Sequence, residues 1–404
     1  MRPLETTTAL VAFDGRGPGT DAERRAARWL AGELVATRHR VRIETFWCRP
    51  NWALAHSWHV ALALAGSLVA VGDPLIGAVL LGLALASTGA DGLFGTSIGR
   101  RLTPERASQN VVATTPSTAA TDSQTNKSRL IVTANYDAGR TGLIYRDAFR
   151  ATAARLNRAT GNRAPGWLGW LVIAITYELA IAVIRVTESH APHVLGVVQL
   201  PPAVALVLTL ALLLEAAAAG YGPAAGDNGT GVAAAIALTH ALASDPPENL
   251  TVGLVLQGAG NTESLGLRTY LRAHKRDLEE ANAIVLGIAA CGAGRPAWWI
   301  SDGRLLPLGY ASSLRSLCAH TGAAPHRGRG GTPALPARAA GLPAIAIGCL
   351  DDRGLAPRSH QQDDKPDAID ETALNRAIES GLSLAQAIDR SLATAAGTAT
   401  ATPA

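Results

Sequence analysis

The sequence predicts an α/β domain that is interrupted twice by paired apolar helices. Short runs of strand-forming residues alternate with amphipathic helical segments along most of the 404 residues. Two long apolar blocks break this alternation, and polar residues follow several strands where they end. The chain is 48% hydrophobic but only 17% charged, against a usual charged share of about 25%. Because the apolar excess is concentrated in the two blocks, it indicates membrane segments rather than a larger core.

The composition argues against several classes of protein. The formal net charge of +4 rests mostly on arginines that are scattered rather than gathered in basic stripes with aromatic residues, so we expect no nucleic-acid partner. The four cysteines form no C-x-x-C pair, which argues against a disulfide framework and fits a reducing compartment. Residues 1–20 contain no continuous apolar run, so no cleavable signal peptide is predicted.

The α/β pattern begins near the N-terminus. Residues 21–37 carry apolar side chains at helical spacing, which predicts an amphipathic helix. A strand over 41–47 follows, and strands over 110–115 and 130–137 are joined by a polar linker at 116–128. The later alternation is a turn and helix over 226–244, a strand over 250–258, a helix over 264–274, strands over 283–290 and 342–348, and a closing helix over 370–393.

The two apolar blocks have the lengths of membrane hairpins. The first covers residues 53–88 and splits at a Gly-Asp-Pro turn signal at 72–74. The second comprises 166–186 and 194–221. Each half approaches the roughly 20 residues that cross a bilayer, so we predict four crossings. The alternative is that these segments are buried core helices.

Arginines set the predicted orientation. They flank both hairpins on the side of the globular part, whereas the hairpin tips offer only Arg185. The positive-inside rule therefore predicts an integral plasma-membrane protein whose globular domain faces the cytoplasm. The predicted organisation is a peptidase-like domain in three parts (20–50, 105–163 and 222–393), hairpins at 51–99 and 164–221, and a disordered tail at 394–404.

Polar residues mark four places in chain order: Asn135 and Asp137, Asp227 and Asn228, Gly260 and Asn261 with nearby Glu263, and His360 with Asp364. The segments "GDNGTGVAAAIAL", "SLGLRTYL", "GLPAIAIG" and "SHQQDDKPDAID" accompany them. Together and in this order they make the chain resemble the di-zinc aminopeptidase-like family, which includes leucyl aminopeptidases, glutamate carboxypeptidase and the transferrin receptor. The resemblance spans about residues 20–392 without the hairpins, and it implies a three-layer domain around a mixed sheet.

The resemblance also implies five metal-ligand positions and one general base. Asp227, the bridging position, and His360 are kept. The other three ligands and the base are replaced. Asn135 stands where the family has a His, Asn261 where it has a Glu, and Gly287 where it has an Asp. Gly260 stands where the family has the Glu that acts as general base. Asp137, which orients the first His in the family, remains without that partner. The pattern is therefore typical of a degenerate metal site.

These replacements predict a loss of the family's chemistry. An amide oxygen is a poor zinc ligand beside imidazole or carboxylate, and glycine offers no side chain. Loss of the base alone removes a factor of roughly 10²–10⁴ in rate. We therefore predict that ordinary two-metal hydrolysis is lost. We expect no bound cofactor. If Asp227 and His360, with Asp137, hold a metal ion, we expect it to be zinc.

Several residues leave alternatives open. Glu263 could act as a weak substitute base, although a glutamate at a helix start is more often a solvated dipole partner. Cys291 and Cys349 could be soft ligands, although they are more often small buried hydrophobes. Asp227 could instead cap the following helix, and His360 could simply hydrogen-bond within its loop.

The predicted pocket lies close to the predicted membrane. Only six residues separate the last apolar run from Asp227, so we expect the pocket to face the bilayer. Glu178 lies inside the third crossing and Arg185 follows two turns later, and charged residues in membrane helices are functional candidates. The alternative for both is an interhelical hydrogen bond or snorkelling to the interface. The partners expected are the membrane itself and a membrane-protein tail, a peptide or a lipid.

The predicted function is a binding or scaffolding role at the membrane for an inactive, membrane-anchored member of this fold. One alternative is a membrane-bound metallo-aminopeptidase that hydrolyses peptides with a depleted, one-metal site. The other is a membrane transport or sensor component in which the soluble domain is regulatory. Metal content and peptide hydrolysis distinguish the first two.

Overall fold

A mixed β-sheet forms the centre of the soluble part. The computed structural model describes residues 2–114, 127–187, 192–261 and 263–400, and within these ranges it contains nine strands in one sheet. They are β1 (Arg40–Cys48), β2 (Arg106–Thr114), β3 (Ser128–Asn135), β4 (Leu250–Gln257), β5 (Ile284–Ile288), β6 (Arg295–Asp302), β7 (Leu308–Gly309), β8 (Ala324–Arg327) and β9 (Ala344–Leu350). The order is β1-β2-β4-β3-β5-β9-β6-β7, with β8 paired to β6.

The middle of the sheet is parallel and buried on both faces. Strands β4, β3, β5 and β9 run parallel, and β1 and β2 are antiparallel to their neighbours. Strand β6 is antiparallel to β9 and β7 but parallel to β8. Every residue from 130 to 135 is buried. Because successive strand residues point to opposite faces, helices must cover both faces, as in a three-layer α/β domain.

Fourteen helices are found in the described part of the chain. They are α1 (Pro3–Val11), α2 (Asp21–Ala36), α3 (Trp52–Val69), α4 (Pro74–Phe94), α5 (Ile98–Arg101), α6 (Asp147–Ala159), α7 (Trp167–Thr187), α8 (Pro192–Ala218), α9 (Thr230–Ser244), α10 (Leu265–Ala273), α11 (Lys275–Glu280), α12 (Ser312–Cys318), α13 (Leu335–Ala339) and α14 (Glu371–Thr400). Helices α9 and α14 pack on the sheet and on each other.

Four of these helices form a bundle of their own. Helices α3, α4, α7 and α8, hereafter the hairpin bundle, share a separate apolar cluster that includes Leu81, Leu168 and Leu206. Among the described residues these four are the helices long and apolar enough to cross a membrane. The buried share of the most apolar stretch ranges from 56% in α3 to 17% in α8, and many large apolar side chains of the bundle face outward. The four helices are therefore candidates for membrane spans.

Both hairpins leave the sheet at the end where the candidate site lies. Cys48 at the end of β1 pairs with Arg106 at the start of β2, and the first hairpin, α3 and α4, connects them. Because β2 is antiparallel to β4, this end coincides with the carboxyl ends of β3 and β4. The second hairpin, α7 and α8, follows β3 at the same end. The bundle thus sits beside the edge at which parallel sheets carry their sites.

Most predicted elements occur within a few residues of their expected bounds, but the ends differ. Helix α14 continues to Thr400, beyond the predicted end of the closing helix at 393, whereas 401–404 lie outside the described residues and disorder of the tail stays a prediction. Most of the predicted linker at 116–128 also lies outside them. Helices α1 and α6 and strand β6, among other short elements, were not predicted.

Candidate functional site

A polar cavity of about 430 Å³ lies at the carboxyl ends of the central strands. Its floor brings together side chains that are far apart in sequence, namely Asn135, Asp227, Asn261 and His360. These are four of the six positions that the resemblance assigned to ligands or base. Cys349 also lines the cavity, while Cys291 lies beside it and is fully buried. The Cys349 side chain and burial raise the pKa of Cys291 well above its ordinary value, which keeps that thiol protonated and a poor metal ligand.

Asp137 is a structural carboxylate behind the floor. It is fully buried, and Oδ1 accepts a hydrogen bond from the Gly260 N–H at 2.8 Å while Oδ2 accepts one from the Asn261 N–H at 3.1 Å. Burial raises the pKa of Asp137 to about 7, against the lowering effect of these bonds and of the Arg16 charge. Both oxygens of Asp137 thus accept hydrogen bonds from the loop after β4. Asp137 holds this loop in place.

Asp227 is presented by an unusual turn. It lies in a π-helical turn, Ala225–Gly229, that runs directly into α9. The Asp364 carboxylate accepts hydrogen bonds from the N–H groups of Gly226 (2.7 Å) and Asp227 (3.0 Å). No side chain caps α9, so the alternative that Asp227 is its N-cap is wrong. The turn directs the Asp227 carboxylate into the cavity, as the family pattern implied.

His360 faces Asp227 and is also anchored in its loop. Its Nδ1 donates to the Arg140 carbonyl at 2.8 Å, and its ring stacks on Tyr145 with centroids 4.1 Å apart. Nε2 lies 3.8 Å from Asp227 Oδ2. A Cβ at Gly139 would lie 2.3 Å from the imidazole, so only glycine allows this approach. The loop hydrogen bond therefore fixes the ring that faces the cavity, whereas the residual ligand role of His360 stays a prediction.

Within the described part of the chain, three polar atoms of the cavity floor are buried without a hydrogen-bond partner: Asn135 Oδ1, Asp227 Oδ2 and Asn261 Nδ2. Such atoms mark a place where a polar ligand or water would be bound. They do not fit a zinc pair, because only Asp227 and His360 supply ordinary zinc ligands. Among the described residues, no group of three or more His, Cys, Asp or Glu side chains could hold a metal ion.

Gly287, the remaining degenerate position, lies inside the sheet. It pairs with Thr133, and a Cβ there would lie 2.6 Å from the Ala334 nitrogen. Ala289, two residues later, lines the cavity with a methyl group that is no metal ligand. Neither residue supplies the carboxylate that the family pattern implies at this strand.

Gly260, at the position of the general base, has no side chain, and the candidate substitute Glu263 points away from the cavity. A Cβ on Gly260 would lie 2.4 Å from Asn135 Oδ1, so the asparagine occupies space beside this glycine. Glu263 forms an ion pair with Arg304 and lines a neighbouring cavity beside Leu305. The prediction that Glu263 could act as a substitute base is therefore wrong in this arrangement.

The cavity walls are rich in arginine, which the sequence pattern did not indicate. Arg150, Arg327 and Arg329 line the wall without a carboxylate partner, whereas Arg304 pairs with Glu263 and Arg353 pairs with Asp147 and Asp351. One nitrogen of Arg150, Nη1, is buried without a hydrogen-bond partner. In sequence, Arg150 could be counted only as one of the arginines before the second hairpin.

Arg16 is a second residue that the sequence did not single out. It is 1% exposed, and its guanidinium donates to the carbonyls of Tyr136 (3.0 Å), Pro223 (2.6 Å) and Ala224 (2.9 Å). It therefore joins the end of β3 to the turn that carries Asp227. Burial lowers the pKa of Arg16 to about 10, and nearby carboxylates oppose this shift, so it stays protonated at neutral pH.

The two charged residues of α7 take part in interhelical contacts. Glu178 is buried and accepts a hydrogen bond from the Ser67 hydroxyl at 2.8 Å. Gln199 donates to the same hydroxyl at 2.7 Å and accepts from Arg185 at 2.7 Å. These bonds connect α3, α7 and α8, which supports the interhelical alternative for Glu178 and Arg185 over a transport role.

Three buried carboxyl groups should make stability depend on pH. Burial raises the pKa of Glu23 to about 8 and of Asp137 and Asp364 to about 7, whereas unfolded carboxyls titrate near pH 4. Between about pH 4 and 8 the folded state therefore binds more protons, so stability falls as pH rises through this range. We expect the melting temperature of the full-length protein in detergent to drop by about 5 °C or more from pH 5 to pH 8.

Glu23→Gln provides the comparison for this pH profile. The carboxylate of Glu23 accepts hydrogen bonds from Ser108 Oγ (2.8 Å) and the Ala259 N–H (2.9 Å), so the glutamine variant should be less stable overall than the wild-type protein. Because glutamine does not titrate, its melting temperature should fall less steeply with pH. A flat wild-type profile would contradict the proposed burial of these charges.

Comparison with known proteins agrees with this geometry. Residues 211–385 match Peptidase family M28. The M28 match covers a little under half of the chain, including the turn with Asp227 and the loop with His360. The expected resemblance to the di-zinc aminopeptidase-like family is thereby confirmed. No curated protein sequence matches the chain.

Solved structures share the fold over nearly the whole chain. BSAP, a zinc aminopeptidase from Bacillus subtilis, has a TM-score of 0.54 at 12% identity, over 95% of this chain and 93% of that chain. An aminopeptidase from Aneurinibacillus sp. strain AM-1 gives 0.54 at 14% identity, over 95% and 93%. A glutaminyl cyclase from Bacteroides thetaiotaomicron gives 0.52 at 13% identity, over 95% and 96%. At such identities the likeness concerns the fold.

Proposed function

We propose that this protein is a membrane-anchored, catalytically inactive M28-fold protein that binds a ligand at the membrane. The observation that carries the proposal is the cavity floor. It keeps Asp227 and His360 but presents Asn135 and Asn261 where the family pattern has further ligands. The fold's pocket is therefore retained, whereas its hydrolytic chemistry is not supported by the donor set.

The hairpin bundle supports the membrane part of the proposal. Its helices have membrane-spanning lengths, and their outward side chains include exposed leucines, valines and isoleucines. In water such a surface would be an aggregation site, whereas in lipid it is ordinary. Arginines on α6 and before α3 lie near the sheet end of the bundle, which agrees with a globular domain on the cytoplasmic side of the plasma membrane.

Metal content and hydrolysis test the inactive state. Full-length protein extracted from membranes should contain well under one zinc per chain after purification in zinc-supplemented buffer. It should also leave a panel of aminoacyl-p-nitroanilides and peptides unhydrolysed, with a purified zinc aminopeptidase as positive control. Extraction should require detergent, because the apolar bundle surface holds the protein in the bilayer.

The competing hypothesis is a one-metal aminopeptidase that uses Asp227 and His360. Asp227→Ala should leave zinc content and the absent turnover unchanged if the proposal is right. Stoichiometric zinc together with turnover that Asp227→Ala abolishes would overturn it. Asp245→Ala, at the end of α9 and away from the cavity, is the matched control.

A further inference from the structure

The polar cavity continues into an apolar groove in the hairpin bundle. This groove has a volume of about 870 Å³ and lies between α7 and α8. It shares Trp52, Tyr145, Arg150, Trp167 and His360 with the wall of the polar cavity. Ligand pockets typically measure about 300–1,000 Å³, so each compartment is large enough for part of one amphiphilic molecule.

The groove is lined by apolar side chains and opens toward the outside of the bundle. Ile173 and Tyr177 on α7 and Val198 on α8 line it and are also exposed. Pro201 and Pro202 lie in the groove wall, where they remove two N–H donors from α8 and add apolar surface. An acyl chain fits such a wall. A peptide backbone does not, because its N–H and C=O groups would find few partners there.

The junction between the two compartments carries an unpaired cationic nitrogen. Arg150 lines both of them, and its Nη2 donates to the Ala356 carbonyl while its Nη1 is buried without a partner. Trp52 and Trp167 flank the junction, with ring centroids 5.4 Å apart. Tryptophans favour the headgroup level of a bilayer. A phosphate oxygen at this level would satisfy Arg150 Nη1 by a charge-assisted hydrogen bond.

We propose that the ligand is an anionic phospholipid of the surrounding bilayer, with its phosphate at Arg150 and an acyl chain in the groove between α7 and α8. The lipid enters sideways between the two helices. Its polar headgroup reaches the cavity floor, where Asn135 and Asn261 present buried amide atoms without partners. This inference rests on the proposed binding function and specifies the ligand class of the same cavity.

Lipid retention on the full-length protein tests the inference. Detergent-purified protein is equilibrated with an equimolar mixture of phosphatidylglycerol and diacylglycerol, which lacks the phosphate, separated from free lipid, and analysed by native mass spectrometry. We expect about one phosphatidylglycerol per chain and roughly tenfold less diacylglycerol, the ratio that one buried charge-assisted hydrogen bond to the phosphate can supply. Equal retention of the two lipids would overturn the proposal, as would a co-purifying peptide that lipid does not displace.

Two variant pairs locate the site. Arg150→Gln should lower phosphatidylglycerol retention about tenfold, whereas Arg155→Gln, an exposed position on the same helix, should not. Ala205→Trp should fill the groove and lower retention of both lipids, whereas Ala86→Trp on the exposed side of α4 should have no effect. Equal losses within either pair would indicate unspecific lipid around the bundle and overturn the proposal.

The outcomes separate this inference from the proposed function. Melting temperatures of all four variants identify any that fail to fold, and Arg150→Gln and Ala205→Trp act independently of each other. Failure of the lipid inference shows as lipid retention that neither variant changes. Failure of the proposed inactivity shows as zinc and turnover in the hydrolysis assay, whatever the lipid result.

Discussion

Replacing Arg16 by methionine is expected to lower the free energy of unfolding by about 3–5 kcal/mol. The guanidinium is 1% exposed and donates to three main-chain carbonyls, at Tyr136, Pro223 and Ala224. Methionine fills a similar volume but leaves those carbonyls without donors and Asp137 without its nearest buried cation. Since domains are stable by only about 5–15 kcal/mol, such a loss is a large fraction of the total.

Thermal melting of the purified full-length protein measures this effect. A loss of this size should lower the melting temperature by about 10 °C in a domain of this length. Arg28→Met, at an exposed position of α2, is the matched control and should change stability by less than about 0.5 kcal/mol. Arg16→Lys should be intermediate, because one ammonium group cannot reach all three carbonyls. Equal melting temperatures for Arg16→Met and Arg28→Met would contradict the assigned role.

Asp91→Asn should have an effect of similar size, but at the junction of the first hairpin with the soluble domain. Asp91 in α4 is fully buried and accepts hydrogen bonds from Arg100 Nε and Nη2, both at 2.7 Å. Arg100 also donates to the Arg49 carbonyl at 3.0 Å, and His56 Nε2 lies 3.2 Å from the carboxylate. Asparagine leaves the buried guanidinium without an opposite charge, a loss of about 3–5 kcal/mol.

A double-mutant cycle separates this ion pair from the local packing. Asp91→Asn and Arg100→Met should each lower the melting temperature strongly, whereas the double variant should be less destabilised than the sum of both. Arg101→Met, at the exposed neighbour, is the control and should be nearly neutral. Additive losses in the cycle, or an Arg101→Met effect as large as that of Arg100→Met, would show that the pair does not join the hairpin to the domain.

The sequence was sufficient for the order of elements and for much of the site. Apolar runs of about 20 residues predicted α3, α4, α7 and α8, because length and composition alone limit what such segments can do. The motif order placed Asn135, Asp227, Asn261 and His360 in one pocket, and the structure brings them together. Parallel strands deliver their carboxyl ends to one edge, so chain order and strand pattern suffice for this result.

The sequence could not predict contacts that depend on distant main-chain groups. Arg16 binds carbonyls that lie about 120 and 207 positions away in the chain, and no side-chain pattern indicates such partners. Gly287 shows the same limit, since only the register of β3 against β5 shows that it lies inside the sheet, paired with Thr133. Glu263 looked available in sequence, but Arg304, 41 residues later, binds it.

The residues thus determined by themselves which ligand positions are lost, since that depends only on side-chain identity. The tertiary structure alone decided what the remaining pocket can receive. It joined the polar cavity to the groove between α7 and α8, and it left Arg150 Nη1 unpaired at their junction. The shape of the pocket and its unsatisfied hydrogen-bonding groups arise from packing between segments that are distant in sequence. Neither can be read from the residue order of a single segment.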